Sequence, residues 1–122
     1  MAVAIYETGA ALAAALAGAD LALDALLGTG STGKPAGAIK DMIQALTRSK
    51  KPVFAVDIPS GVDPDTGYHS GAFVTAAVTL TLGFPKKGLL AAHAKRNVGE
   101  LRVLDIGYPE ELAAKFLSKA KP

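Results

Sequence analysis

Of two aspartates, Asp24 interrupts an apolar run near its end and Asp57 closes one, and each is followed by a glycine-bearing loop. If those runs are strands of a parallel sheet, both carboxylates stand at strand carboxyl ends, the edge along which open α/β sheets take their ligands. A carboxylate there is placed to move a proton or to hold a hydroxyl. Aspartate after a strand also caps turns, which is a purely structural use. The loop that follows Asp24 contains Gly28-Thr29-Gly30-Ser31-Thr32-Gly33-Lys34. It fits the G-x-G-x-x-G spacing of dinucleotide sites, with Asp57 at roughly the distance of a ribose-binding acid, and also most of a G-x-x-x-x-G-K phosphate loop. The hydroxyl that would hold magnesium is replaced by Pro35, which argues against a magnesium-nucleotide triphosphatase. The physics common to both patterns is that glycines let backbone approach a phosphate while a following helix turns its positive end toward it. A glycine-rich connection without a ligand has the same composition.

The second loop, Asp57-Ile58-Pro59-Ser60-Gly61-Val62-Asp63-Pro64-Asp65-Thr66-Gly67, puts a serine hydroxyl close to Asp57. Asp63 and Asp65 have calcium-loop spacing without the glycine and terminal glutamate such a loop needs, so they read as turn-formers. His69 and His93 have no metal-ligand partner at i+3 or i+4 and read as solvated. Lys86 and Lys87, after Gly83-Phe84-Pro85, suit a surface turn and a phosphate contact equally well. No serine sits in a G-x-S-x-G elbow, and there is no cysteine for a thiol nucleophile or disulfide.

These residues need a scaffold, and the hydropathy pattern supplies one. Thr8 to Gly18 reads as a short helix capped by Thr8, with Leu12 and Leu16 on one face. Residues 21–27 read as a strand buried on both faces and interrupted by Asp24. Ile39, Met42, Ile43 and Leu46 repeat at i, i+3, i+4 and i+7, a helix over about 38–48. Pro52 to Asp57 is a second strand, 58–71 a long loop, 77–82 a third strand and 101–106 a fourth, with an ambiguous segment around Leu89–Arg96. A last helix starts near Pro109, with Glu110 and Glu111 in its first turn and Lys115 and Lys119 near its end. Apolar strands alternating with amphipathic helices imply a mainly parallel sheet.

The chain has 122 residues, half of them hydrophobic and a fifth charged, which suits a single domain with a real core. Net charge is +2, with five basic against seven acidic residues up to position 82 and eight against four beyond it. That asymmetry can attract a phosphate but is no nucleic-acid footprint. The uncharged run Thr8 to Ala19 has twelve residues, too few to span a bilayer, and no charged start of a secretory signal precedes it. The expectation is a soluble, cytoplasmic protein with neither nucleic-acid nor membrane partners.

Four stretches, DALLGTGSTGKPAG (24–37), PVFAVDIPSGVDPDTG (52–67), TLTLGFPKKGL (79–89) and GELRVLDIGYP (99–109), resemble the NAD(P)H-hydrate epimerases, the YjeF N-terminal domain family. The resemblance runs through most of residues 20–109. It implies a Rossmann-like α/β/α sandwich that interconverts the R and S forms of hydrated NADH or NADPH in cofactor repair. By motif it makes Gly28, Thr29, Gly30, Ser31, Thr32, Gly33 and Lys34 a substrate-binding loop and Asp57 the acid that contacts the nucleotide. It makes Asp24 and Ser60 ligands of a structural potassium ion. The family domain is roughly twice as long, and its asparagine-bearing phosphate loop has no counterpart here, since the one asparagine is Asn97. Residues 1–122 therefore read as a single epimerase domain lacking the family's N-terminal half. As such it is weakly active or inactive alone, with a partial potassium site, and inclined to self-associate or to pair with that half. The fold also serves as a non-catalytic protein-binding module, which is the second reading. A plain NAD-dependent module, resting on glycine spacing alone, is the third.

Overall fold

The oxygen of the Thr8 side chain accepts a hydrogen bond from the Ala11 amide at 3.2 Å and starts α1, Gly9–Ala17, as the sequence predicts. In the computed structural model, which describes residues 3–31, 33–112 and 114–115, this helix leads into β1, Ala22–Asp24. Then come α2, Gly37–Ser49; β2, Val53–Val56; and β3, Val78–Leu82. The ambiguous segment resolves into two 3-10 turns, Lys87–Leu90 and Ala92–Ala94, and the single-turn α3, Lys95–Val98, before β4, Glu100–Leu104. Residues 110–112 and 114–115 are helical, as expected after Pro109, and the end of that helix with Lys119 lies outside the described residues.

The four strands form one parallel sheet in the order β1-β2-β3-β4, an arrangement consistent with a Rossmann-like α/β fold. Parallel strands laid down one after another, with the right-handed crossovers that chirality imposes, put every connection on the same face. The packing agrees. Ile43 and Leu46, from the periodic stripe of α2, join Leu16 of α1, Val53 of β2 and Val74 in one buried cluster. Ile58, Leu89, Ala94 and Val98 form a second cluster, against which Leu101 of β4 packs. Ala22, Val53, Ala55, Thr79 and Leu101 alternate onto this covered face. The described residues thus build the sheet and one helical layer.

The other face carries Leu23, Phe54, Val56, Val78, Leu80 and Leu82, and none of these is fully buried. Leu23 is 63% exposed. The first strand is therefore not covered on both sides, contrary to what its apolar run predicts. It is also shorter than residues 21–27. Sheet pairing stops at Asp24, and the Leu26 and Leu27 amides then bond to the side chains of Asp24 and Ser60 instead of to a neighbouring strand.

Candidate functional site

β1 and β2 are adjacent and parallel, so the loops that leave them meet above their carboxyl ends. Asp24 and Ser60 tie those loops together. The Ser60 amide donates to Asp24 Oδ2 at 2.8 Å and its hydroxyl to Asp24 Oδ1 at 2.6 Å. The Leu26 amide donates to Oδ1 at 3.3 Å, and the Leu27 amide to the Ser60 hydroxyl at 3.0 Å. Both side chains are completely buried. All three donors to this carboxylate are uncharged, and among the described residues it makes no ion pair.

Asp57 stands one residue past β2 and has a different partner. Its φ of 73° is left-handed, a region aspartate enters more readily than most residues but still uncommonly. Its amide is held to the Leu80 carbonyl at 2.8 Å. Oδ1 receives the Lys86 ammonium and, at 3.2 Å, the Leu82 amide. Oδ2 has no hydrogen bond among the described residues and lies 3.9 Å from where a Cβ on Gly28 would stand. The two aspartates therefore share an edge of the sheet without sharing a partner.

Between the two loops lies a cavity of about 480 Å³. Leu27, Gly28, Thr29, Ser31 and Gly33 line one side, and Gly61, Val62 and Asp63 with Tyr68 and His69 line the other. Asp24 and Ser60 are not in the lining; they fasten its two walls together. Asp57 is not in it either, but its Oδ2 borders the wall at Gly28. The first loop tightens into a turn through the Ser31 amide and the Gly28 carbonyl, 3.2 Å apart. Gly61 lets the second loop pass under residues 72–73, since a Cβ there would collide with the Ala72 carbonyl oxygen. Asp63 is the turn-former its surroundings predict, its Oδ1 accepting from the Asp65 and Thr66 amides at 2.7 and 3.1 Å.

The remaining sequence candidates divide plainly. Lys34 is exposed and packs along Gly71 outside the cavity lining, as is Gly30, while Thr32 lies outside the described residues. The first turn of α2, starting at Gly37, is not in the lining either, so its positive end does not open directly onto the cavity. His93 stacks on Tyr68, centroids 3.8 Å apart, and its Nε2–H donates to the Thr66 carbonyl at 2.7 Å. His69 stacks on Phe73. Both histidines are exposed, and no group of three or more metal-ligating His, Cys, Asp or Glu side chains forms among the described residues. Asn97 is buried and structural, donating to the Thr75 hydroxyl at 3.1 Å. Lys86 is the residue whose role sequence reasoning left undecided. Its ammonium is spent on Asp57, the Thr81 hydroxyl at 3.0 Å and the Leu82 carbonyl at 2.9 Å. Nothing in sequence spacing links positions 57 and 86; only the adjacency of β2 and β3 does. Among the described residues no helix is long and apolar enough to cross a membrane.

Residues 2–88 match the family model described as YjeF-related protein N-terminus. An NAD(P)H-hydrate epimerase of Pirellula staleyi is 42% identical over 105 residues, covering 86% of this chain and 46% of the relative. One of Elusimicrobium minutum is 40% identical over 111 residues, 91% of this chain and 49% of the relative. A bifunctional NAD(P)H-hydrate repair enzyme of Pyrobaculum aerophilum is 46% identical over 93 residues, 76% of this chain and 19% of the relative. The chain spans about half the length of the two epimerases it matches.

Proposed function

From its place in the YjeF-related N-terminal family, to which this chain belongs, we propose that it is an NAD(P)H-hydrate epimerase domain. In this reading the nucleotide occupies the cavity between the loops and Asp57 presents Oδ2 to the hydrated nicotinamide ring. The observation that carries it is the half-engaged carboxylate of Asp57. One oxygen is fixed by Lys86 and the Leu82 amide, and the other has no partner among the described residues and lies beside the Gly28 loop. A carboxylate held that way can accept a proton or orient a hydroxyl at a fixed position. Thr29, Ser31 and the backbone of Gly28 and Gly33 supply the polar side of the substrate loop.

Asp24 and Ser60 are the residues that would hold a potassium ion. Their oxygens are of the hard kind an alkali cation takes, and a buried carboxylate met only by neutral donors has charge left to balance. The ion's contribution is to neutralise Asp24 at the junction of the two loops. With three hydrogen bonds already on the carboxylate, these two side chains make part of a coordination shell and not the whole of one.

The reading extends to a partner. An all-parallel sheet is ordinarily covered on both faces, and the face that carries Leu23, Phe54 and Leu80 receives no connection from the described residues. The single domain formed by residues 1–122 is therefore read as complete in function only when a further polypeptide layer, of the length by which the epimerases exceed this chain, lies on that face. Alone, the chain has weak activity or none.

The test is to follow conversion of R to S hydrated NADPH by proton NMR. The chain is assayed alone and mixed with the remaining segment of the Pirellula staleyi epimerase. Conversion that is slow alone and restored by mixing supports the reading. If the cofactor is neither bound nor converted in either setting, the reading falls and a non-catalytic binding module takes its place.

A further inference from the structure

Lys86 reaches a carboxylate at this edge of the sheet, and it does so from a strongly constrained place. Pro85 precedes it, and its own carbonyl accepts the Leu89 amide at 3.0 Å as the next 3-10 turn begins. The side chain then folds back over the end of β3, where its three N–H bonds meet three oxygens: Asp57 Oδ1, Thr81 Oγ1 and the Leu82 carbonyl. An ammonium has three donors, and here all three are used. Lys86 is 20% exposed and Asp57 16%, so water competes weakly for either. This is not the arrangement of a surface lysine or of one waiting for a phosphate, because its charge and its donors are already engaged. Lys87, by contrast, is exposed.

We propose that Lys86 is a positioning residue for Asp57. By capturing Oδ1 together with the Leu82 amide it fixes the rotation of the carboxylate, so that Oδ2 faces the Gly28 wall of the cavity. The inference rests on the epimerase reading for what Oδ2 then does, and on the geometry alone for the lock itself. Without the ammonium, Oδ1 keeps a single backbone donor and the carboxylate turns about its χ2. A group aimed by a charge-assisted hydrogen bond loses reactivity when freed, even though substrate still enters.

Two measurements separate the lock from the function it serves. In the wild-type chain labelled with ¹⁵N-lysine, the Lys86 ammonium should exchange with water at least 10-fold more slowly than the exposed lysines, and Asp57→Ala should reduce that protection. An ammonium exchanging as fast as Lys87 overturns the lock, whatever the fate of the epimerase reading. This readout needs no variant of Lys86 to fold. With hydrated NADPH, in the mixed system where the wild type turns over, Lys86→Met should lower kcat by about 10- to 100-fold, the scale of a lost charge-assisted hydrogen bond. KM should stay within about threefold, and Lys86→Arg should recover part of kcat. An unchanged kcat in Lys86→Met, or a loss seen in KM alone, overturns the positioning role. If the lock is present but the wild type neither binds nor converts the cofactor, the epimerase reading has failed and the proposed role of Lys86 in it falls too, while the geometry stands.

Discussion

Ser60 grips both oxygens of Asp24, its amide on Oδ2 at 2.8 Å and its hydroxyl on Oδ1 at 2.6 Å, across 36 positions of sequence. The two walls of the cavity are joined by this pair, and a loop that leaves β1 is thereby fixed to a loop that leaves β2. Ser60→Ala removes the hydroxyl's bond to a buried charge and orphans the Leu27 amide. The expected cost is about 2–3 kcal/mol, as the loss of a hydrogen bond to a charged group suggests. Urea denaturation monitored by circular dichroism reads it. A double-mutant cycle with Asp24→Asn should show a coupling above roughly 0.5 kcal/mol; a coupling of zero would mean the two residues act independently.

Asp57→Asn tests the other carboxylate. Asparagine can keep the Leu82 amide on its carbonyl oxygen, and the side chain is nearly isosteric, so the fold should survive with a stability change of about 1 kcal/mol. Turnover of hydrated NADPH in the mixed system should fall by at least about 100-fold, the lower range for a lost general base. Equal rates for variant and wild type would remove Asp57 from the chemistry.

Much of this was legible from residue types. The i, i+3, i+4, i+7 stripe of Ile39 to Leu46 became the core-facing side of α2, and Thr8 capped α1 as expected. Asp57 fell at a strand end because the apolar run before it stops at that acid, whereas Asp24 lies inside its run and ends β1 because the Leu26 and Leu27 amides turn to the side chains of Asp24 and Ser60. Other features depend on which strands become neighbours. The apolar run around Leu23 reads as a strand buried on both faces, but the described residues cover only one of them. The Asp57–Lys86 and Asp24–Ser60 pairs span 29 and 36 positions and leave no periodic trace. The segment around Leu89–Arg96 was ambiguous because it is neither one helix nor a strand, but three short helical turns.

Gly61 is where the second loop tolerates least. Its φ of 92° is left-handed, and an added Cβ would run into the Ala72 carbonyl oxygen and Phe73 Cα, both of them backbone. Neither can swing aside as a side chain could. Gly61→Ala should therefore destabilise the chain by about 2 kcal/mol or more and deform the cavity wall. Gly30→Ala is the control, since nothing lies within 4 Å of its Cβ position. Thermal unfolding of the two variants should differ by several degrees, and equal melting temperatures would contradict the close approach seen at Gly61.

The sheet face that the described residues leave without a helical layer makes the last prediction. Leu23, Phe54 and Val78 lie in register on it, and Val56 and Leu80 form a second row. β1 is also an edge strand, with Leu21 and Leu23 both exposed. Partly exposed apolar rows of this kind, ending at an exposed edge strand, drive association. The chain alone should bind an apolar dye such as anilinonaphthalene sulfonate and show a weight-average mass that rises with concentration in sedimentation equilibrium. Leu23→Lys places a charge on the row at a position that contributes little to the core, so unfolding stability should change by less than about 0.5 kcal/mol. Association and dye binding should drop together. A wild-type chain that stays monomeric at every concentration and binds no dye would show that this face is not a contact surface, and the partner proposed for it would go with it.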